Sequence, residues 1–335
     1  MNDIAVAIII PVKSFNERLK ICLEKCLELD YPNFDIFVFP DISFSEFKGK
    51  VKVIPTGNIG PALKRDKALE HSQAEIFAFL DDDAYPARDW LKNAIENFKD
   101  NEVAAVGGPA VTPDDSPMLE TASGNILASP LASGPYAYRY VPGQVRMEVD
   151  DYPSCNFIIR RNVFEKLGGF SNKFWPGEDT KLCLDITKKL GKKIVYDPKV
   201  LVQHHRRSLF LPHLEQVANY ALHRGYFAKK FPETSLKLSY FMPSLFLVYL
   251  IAGAIISHFN KSMALIYLNS IVFYYSLIFF HTLFSILQEK KIKSNFKKLK
   301  LVLLTGTGII FTHFCYGLFF IKGLISRKLK EEKNG

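Results

Sequence analysis

Residues 77–86 read FAFLDDDAYP: an apolar run that stops abruptly at Asp81, Asp82 and Asp83. Three adjacent carboxylates repel one another, so water or a cation must hold them. Read alone, they are either a solvated acidic turn after a strand or a divalent-metal site at the carboxyl edge of a sheet. The flanking sequence has to decide between the two.

Working outward, Ile4 to Pro11 (IAVAIIIP) is a β-branched run of the kind that forms a buried parallel strand. Helical spacing of Leu, Ile and Cys follows over Glu17 to Leu29. Strands are then expected at Phe34–Phe39, Val51–Ile54 and Ile76–Leu80, with a helix at Ala62–His71. A helix at Trp90–Phe98 and a strand at Val103–Gly107 continue the alternation. Strands interleaved with helices in this order predict an α/β domain with a mostly parallel sheet. In open sheets of this class, ligands sit beyond the carboxyl ends of the strands. Pro11, Asp41 and the aspartate triplet all fall at such ends, and this convergence favours the cation.

Residues 112–153 are rich in Gly, Pro, Ser and Tyr without a clear period. They read as a substrate-facing excursion with short elements. Regular structure resumes with a strand at 155–160 and helices at 162–167 and 180–190. A closing strand hairpin is expected over 194–196 and 200–203, ending at His204-His205.

The chain has 335 residues, a net charge of +9 and 48% hydrophobic residues, and these averages hide an asymmetry. Stretches 238–257, 263–287 and 301–321 contain no Asp, Glu, Lys or Arg, and each is long enough to span a hydrocarbon core. The expected organisation is a globular domain over 1–230, closing with an amphipathic, possible interfacial helix at 211–229, then a membrane region over 236–335. Lys290, Lys291, Lys293, Lys297, Lys298 and Lys300 crowd the loop between the second and third stretches. That places the loop and the N-terminal domain on the cytoplasmic side and argues against a nucleic-acid patch. Three crossings would then leave the basic tail (Arg327, Lys328, Lys330, Lys333) outside, against the charge rule. Either the charge rule fails here or one stretch is a hairpin or re-entrant segment, the third being the suspect because of Gly306 and Gly308. Five cysteines without a CxxC pair suit a reducing compartment and no structural zinc, and no signal peptide is read at the N-terminus.

Over residues 4–230 the chain resembles family 2 glycosyltransferases of the GT-A fold. The resemblance rests on five segments in order: IAVAIIIPVKSFNERLKICLEKCLELDYP, VFPDIS, GNIGPALKRDKAL, FAFLDDDAYP and SCNFIIRRNVFEKLGGF…FWPGEDTKLCLDI. It implies a nucleotide-sugar donor with Mg²⁺ or Mn²⁺ neutralising its diphosphate, since a hard cation needs only one or two protein carboxylates when phosphates complete its shell. By resemblance Asp83 binds the metal, and Asp81 orients the ribose or a metal-bound water. Asp82 contributes mainly through its field. Asp41 meets the nucleobase, although Pro40 and Ile42 depart from the family pattern there. Arg65, with Lys64 beside it, meets the diphosphate or sugar. Asp179 is the base that deprotonates the acceptor, Glu178 positions the acceptor, and His204, rather than His205, reaches the metal.

The implied activity is an inverting transfer to a membrane-held, lipid-linked glycan in cell-surface polysaccharide synthesis, from a multi-pass protein of the inner membrane. Two alternatives remain: a polyprenyl-phosphate monosaccharide transferase and a non-catalytic scaffold. A processive synthase is disfavoured because Gln216 opens QVANY rather than QxxRW.

Overall fold

A computed structural model describes residues 4–170, 174, 176–289 and 292–329. Trp175, Lys290, Lys291, Lys330 and Lys333, which entered the sequence reading, lie outside the described residues. The chain divides into two compact units. One holds the residues up to Val111 together with Tyr138–His205; the other holds Thr112–Ala137 with the residues from Arg206 onward.

In the first unit the described strands, in chain order, are β1 (Val6–Pro11), β2 (Phe34–Phe39), β3 (Val51–Val53), β4 (Ile76–Leu80), β5 (Ala84–Pro86), β6 (Val103–Gly107), β7 (Ala110–Val111), β8 (Met147–Val149), β9 (Asn156–Arg160), β10 (Lys193–Tyr196) and β11 (Val202–His204). The main sheet runs β3-β2-β1-β4-β9-β6-β10-β8, and β5-β11-β7 form a small second sheet. Strands β3, β2, β1 and β4 pair in parallel, while β9 enters antiparallel between β4 and β6.

Alternation along each strand builds two apolar layers. Ile8 and Ile10 of β1, with Ala78 and Leu80 of β4, face the helices Glu17–Leu27 and Trp90–Asn97. Ala7, Ile9, Phe77 and Phe79 face the opposite layer, where Phe164 and Phe170 close on Phe79 at ring distances of 5.1 Å each. Both faces being covered explains why these strands read as unbroken apolar runs.

The expected closing hairpin does not form. β10 pairs in parallel with β6 and antiparallel with β8, whereas β11 joins β5 and β7. The turn at Asp197, whose carboxylate accepts from Asn97 at 2.8 Å, sends β11 into the second sheet. The expected helix at 62–71 is two pieces, Pro61–Asp66 and Ala68–His71.

In the second unit, the described residues contain three helices long and apolar enough to cross a membrane: Leu238–Phe259, Lys261–Leu287 and Asn295–Ile325. The third suspected stretch is one continuous helix of 31 residues, without a break at Gly306 or Gly308. Residues 112–137, read as a substrate-facing excursion, carry the helix Met118–Ala128, whose Ala122 and Ile126 pack with Ile278, Val302 and Ile309 of the apolar helices. Helix Leu211–Lys230 joins this unit through His213, which bridges Ser123 (2.7 Å) and Thr312 (3.0 Å).

Candidate active site

The parallel half of the sheet ends its strands at one edge, and the predicted residues gather there. β1 ends in Pro11, which is buried. Lys64, itself only 3% exposed, donates from Nζ to the carbonyl of Val12 at 2.6 Å and pairs with the Asp41 carboxylate. One ammonium therefore ties the exit of β1 to the exit of β2. Lys64 and Asp41 form a unit, a pairing that sequence reading left unlinked.

Arg65, 4% exposed, sits between two carboxylates. Its Nη2 donates to Asp81 Oδ1 at 2.7 Å, and its Nη1 lies 3.5 Å from Glu178 Oε1. Its Nε is buried without a hydrogen-bond partner among the described residues, leaving an unused donor of the kind an oxyanion can take. Removing one member of such a buried pair commonly costs about 3–5 kcal/mol, because the other charge is stranded.

Beyond β4 the triplet divides. Asp83 Oδ1 lies 3.0 Å from His204 Nε2, and Asp81 Oδ2 lies 4.0 Å from the same nitrogen. One donor atom from each of Asp81, Asp83 and His204 falls within 4.8 Å of the others. Two carboxylate oxygens and an imidazole nitrogen on one side leave the remaining positions of a roughly octahedral cation to water and phosphate, as suits Mg²⁺ or Mn²⁺. The donor set fits such an ion. Asp82 turns away, and Asn16 Nδ2 donates to it at 3.0 Å. Burial pushes the Asp82 carboxyl up, against the pull of that hydrogen bond. His205 does not join the cluster: its ring packs edge-on against Tyr85 at 5.3 Å, while its backbone N–H donates to the Asp83 carbonyl.

Burial opposes protonation of His204, but the Asp83 charge, aided by Cys155, overcomes it and lifts the imidazole to about 10. A cation binding here must displace that proton.

Glu178 and Asp179 open the helix Glu178–Leu184. Gly177 precedes them at φ 120°, a backbone conformation that a side chain would strain, and the turn it makes brings Glu178 to Arg65. Asp179 accepts from the N–H groups of Thr180 (2.7 Å) and Ser154 (3.3 Å), which fix its orientation. Burial and the Asp179 charge, opposed by Arg65, push the Glu178 carboxyl up to about 8. Glu178 thus holds its proton in the folded state at neutrality, whereas an unfolded glutamate loses it near 4.5. Its contribution to stability is complete below that lower value and is lost as pH rises toward about 8. Thermal melts of the wild type and Glu178→Gln should therefore diverge with pH. The variant gains on the wild type between pH 5 and 8.5, by an amount on the order of a few kcal/mol.

Sequence reading missed Asn16 and Arg18. Asn16 caps the first helix by accepting from Leu19 N, while its amide reaches Asp82; Arg18 Nη1 lies 3.8 Å from Asp83 Oδ2. The signal was available, since the β1–helix loop belongs to the same sheet edge as the aspartates.

This sheet, with an acidic cluster at the end of β4, is the architecture of the GT-A glycosyltransferase fold. The match to a mannosyltransferase of Pyrobaculum calidifontis, solved with GDP-Man and Mn²⁺, has a TM-score of 0.59 and covers 96% of this chain and 88% of that one at 17% identity. Residues 7–168 match the family described as glycosyl transferase family 2. Among curated relatives, a pre-mycofactocin glycosyltransferase of Mycobacterium tuberculosis is 29% identical over 181 residues, which are 53% of this chain and 37% of that protein. A relative from Methanococcus voltae is 24% identical over 246 residues, covering 67% of this chain and 74% of that one. It is named dolichyl N-acetyl-alpha-D-glucosaminyl phosphate 3-beta-D-2,3-diacetamido-2,3-dideoxy-beta-D-glucuronosyltransferase.

Proposed function

We propose that the chain is a membrane-anchored, inverting glycosyltransferase that moves a sugar from a nucleotide-sugar donor to a lipid-linked glycan held at the cytoplasmic face of the cell membrane. The observation that carries this reading is the single edge on which Asp41–Lys64, Arg65, Asp81, Asp83 with His204, and Glu178 converge. The Methanococcus relative, named for a dolichyl sugar phosphate, supports a lipid-linked acceptor. The three apolar helices support anchorage.

In the proposed reaction an acceptor hydroxyl oxygen attacks the anomeric carbon as the bond from that carbon to the diphosphate breaks. The bonding pair leaves with the nucleoside diphosphate, and the hydroxyl proton passes to Asp179. A carboxylate is a weak base, so this transfer comes late, when the hydroxyl has already become acidic. Arg65 contributes positive charge beside the diphosphate, and Glu178 holds Arg65 in place. Asp81, Asp83 and His204 would hold Mg²⁺ or Mn²⁺, which supplies charge neutralisation for the leaving group. Lys64 fixes Asp41 for contact with the nucleobase.

Donor binding is tested by thermal shift with a panel of nucleotide sugars, each with Mn²⁺. The right donor at about a hundred times its Kd should stabilise the fold by roughly 2.7 kcal/mol. A panel in which none moves the melting midpoint would count against the reading.

A further inference from the structure

The three apolar helices do not form an up-down-up bundle. Leu238–Phe259 and Lys261–Leu287 are an antiparallel hairpin: Phe246 meets Tyr274 at 4.5 Å, and nearer the turn the Tyr267 hydroxyl donates to the Leu250 carbonyl at 3.1 Å. Asn295–Ile325 runs antiparallel to the second arm, from Lys298 donating to the Leu287 carbonyl (2.9 Å) to His313 at the Tyr274 hydroxyl (2.9 Å). It also runs antiparallel to the first arm. His313 lies 6.4 Å from the Phe246 ring, Gly317 O accepts from Ser244 at 3.0 Å, and Phe320 meets Phe241 at 4.8 Å.

In three aligned crossings the first and third helices run parallel. Three directions can be mutually opposed only if their axes splay widely, so the third helix cannot share the axis of the hairpin. All three meet where Phe246, Tyr274 and His313 converge. From that point Asn295–Ile325 follows one diverging foot toward Leu287 and the other toward Phe241, lying across the base of the hairpin.

Its other flank is covered by a helix that carries charges. Helix Leu211–Lys230 runs alongside it in the same direction, from His213 at Thr312 (3.0 Å) to Lys229 donating to the Ser326 carbonyl (2.6 Å). The backbones touch: a Cβ on Gly225 would overlap Phe320 O, and one on Gly323 would overlap Leu222 O. That companion carries Glu215, Arg224, Lys229 and Lys230, too many charges for a hydrocarbon core. Asn295–Ile325 exposes an apolar stripe through Leu299, Leu303, Phe311 and Leu318. Both its ends are basic, with Lys297, Lys298 and Lys300 at one and Lys322, Arg327 and Lys328 at the other. A helix with a charge-bearing companion on one flank, an apolar hairpin on the other and cations at both ends matches the headgroup boundary of an anionic leaflet.

We propose that Asn295–Ile325 lies in the plane of the bilayer, at the headgroup boundary of the leaflet that carries helix Leu211–Lys230, so that the chain crosses the membrane twice rather than three times. This arrangement places both basic clusters on one side and removes the charge conflict that three crossings create. It rests on the membrane-anchored reading but not on catalysis.

The test maps epitope tags at the N-terminus, in the Asn260–Lys261 turn and after Gly335, by protease access in sealed vesicles of both orientations. The expected result is both ends on one face and the turn on the other. The C-terminal tag on the turn's face, or all three tags on one face, would overturn the proposal. Independently, Leu303→Trp and Leu318→Trp sit about 22 Å apart along the helix at about 1.5 Å per residue. After subtraction of the parent's signal, lipids brominated at graded depths should quench both at the same shallow depth. Maxima more than about 10 Å apart in depth would show a spanning helix. Release of the whole chain by alkaline carbonate would overturn the anchored reading along with the proposal.

Discussion

Replacing Asp83 by Ala is expected to lower sugar transfer roughly 10³-fold with Mn²⁺ present, as the loss of several kcal/mol of leaving-group stabilisation requires. Asp83 is the carboxylate nearest His204, at 3.0 Å, so the substitution removes two supports at once: an anionic donor and the charge that holds the imidazole in place. Donor hydrolysis without acceptor should fall in parallel, since both reactions release the same diphosphate. Circular dichroism controls for folding; the Asp83 side chain is 20% exposed, so its loss leaves no large cavity. A folded wild type no more active than the variant would point instead to a scaffold that has kept the fold without the chemistry.

The second large effect is expected at Asp179. Asp179→Asn should reduce kcat by about 10²–10⁴ with little change in donor KM, the range lost when a positioned general base is removed. Asn retains one acceptor oxygen for the Thr180 N–H, which Asp179 now takes at 2.7 Å, so the helix start should survive. Transfer to a phosphate acceptor needs no such base. A loss of less than about tenfold would therefore favour a polyprenyl-phosphate monosaccharide transferase over transfer to a sugar hydroxyl.

What could be read from the sequence was whatever is written locally. The apolar run before Asp81, the β-branched first strand and the Gly177-Glu178-Asp179 turn each carry their own signal, and the sheet edge that unites them follows from strand order. Pairing between distant segments is not written locally. Residues 194–196 and 200–203 look like a hairpin because they are adjacent, yet β10 takes β6 and β8 as partners while β11 takes β5 and β7. The helix Met118–Ala128 was hidden for a different reason: its buried positions include Ala122, Ser123 and Gly124, too small to produce a periodic apolar signal. The link between Lys64 and Asp41 spans 23 residues and joins the helix Pro61–Asp66 to the exit of β2.

The placement of residues 112–137 in the second unit means that the two units are interleaved along the chain. No single cut can separate them. A fragment ending at Lys230 keeps Ala122 and Ile126 but discards Ile278, Val302 and Ile309, the surfaces they pack against. A fragment holding the first unit alone therefore calls for two edits: removal of the C-terminal helices, and a bridge from Val111 to Tyr138 in place of the segment that belongs with them.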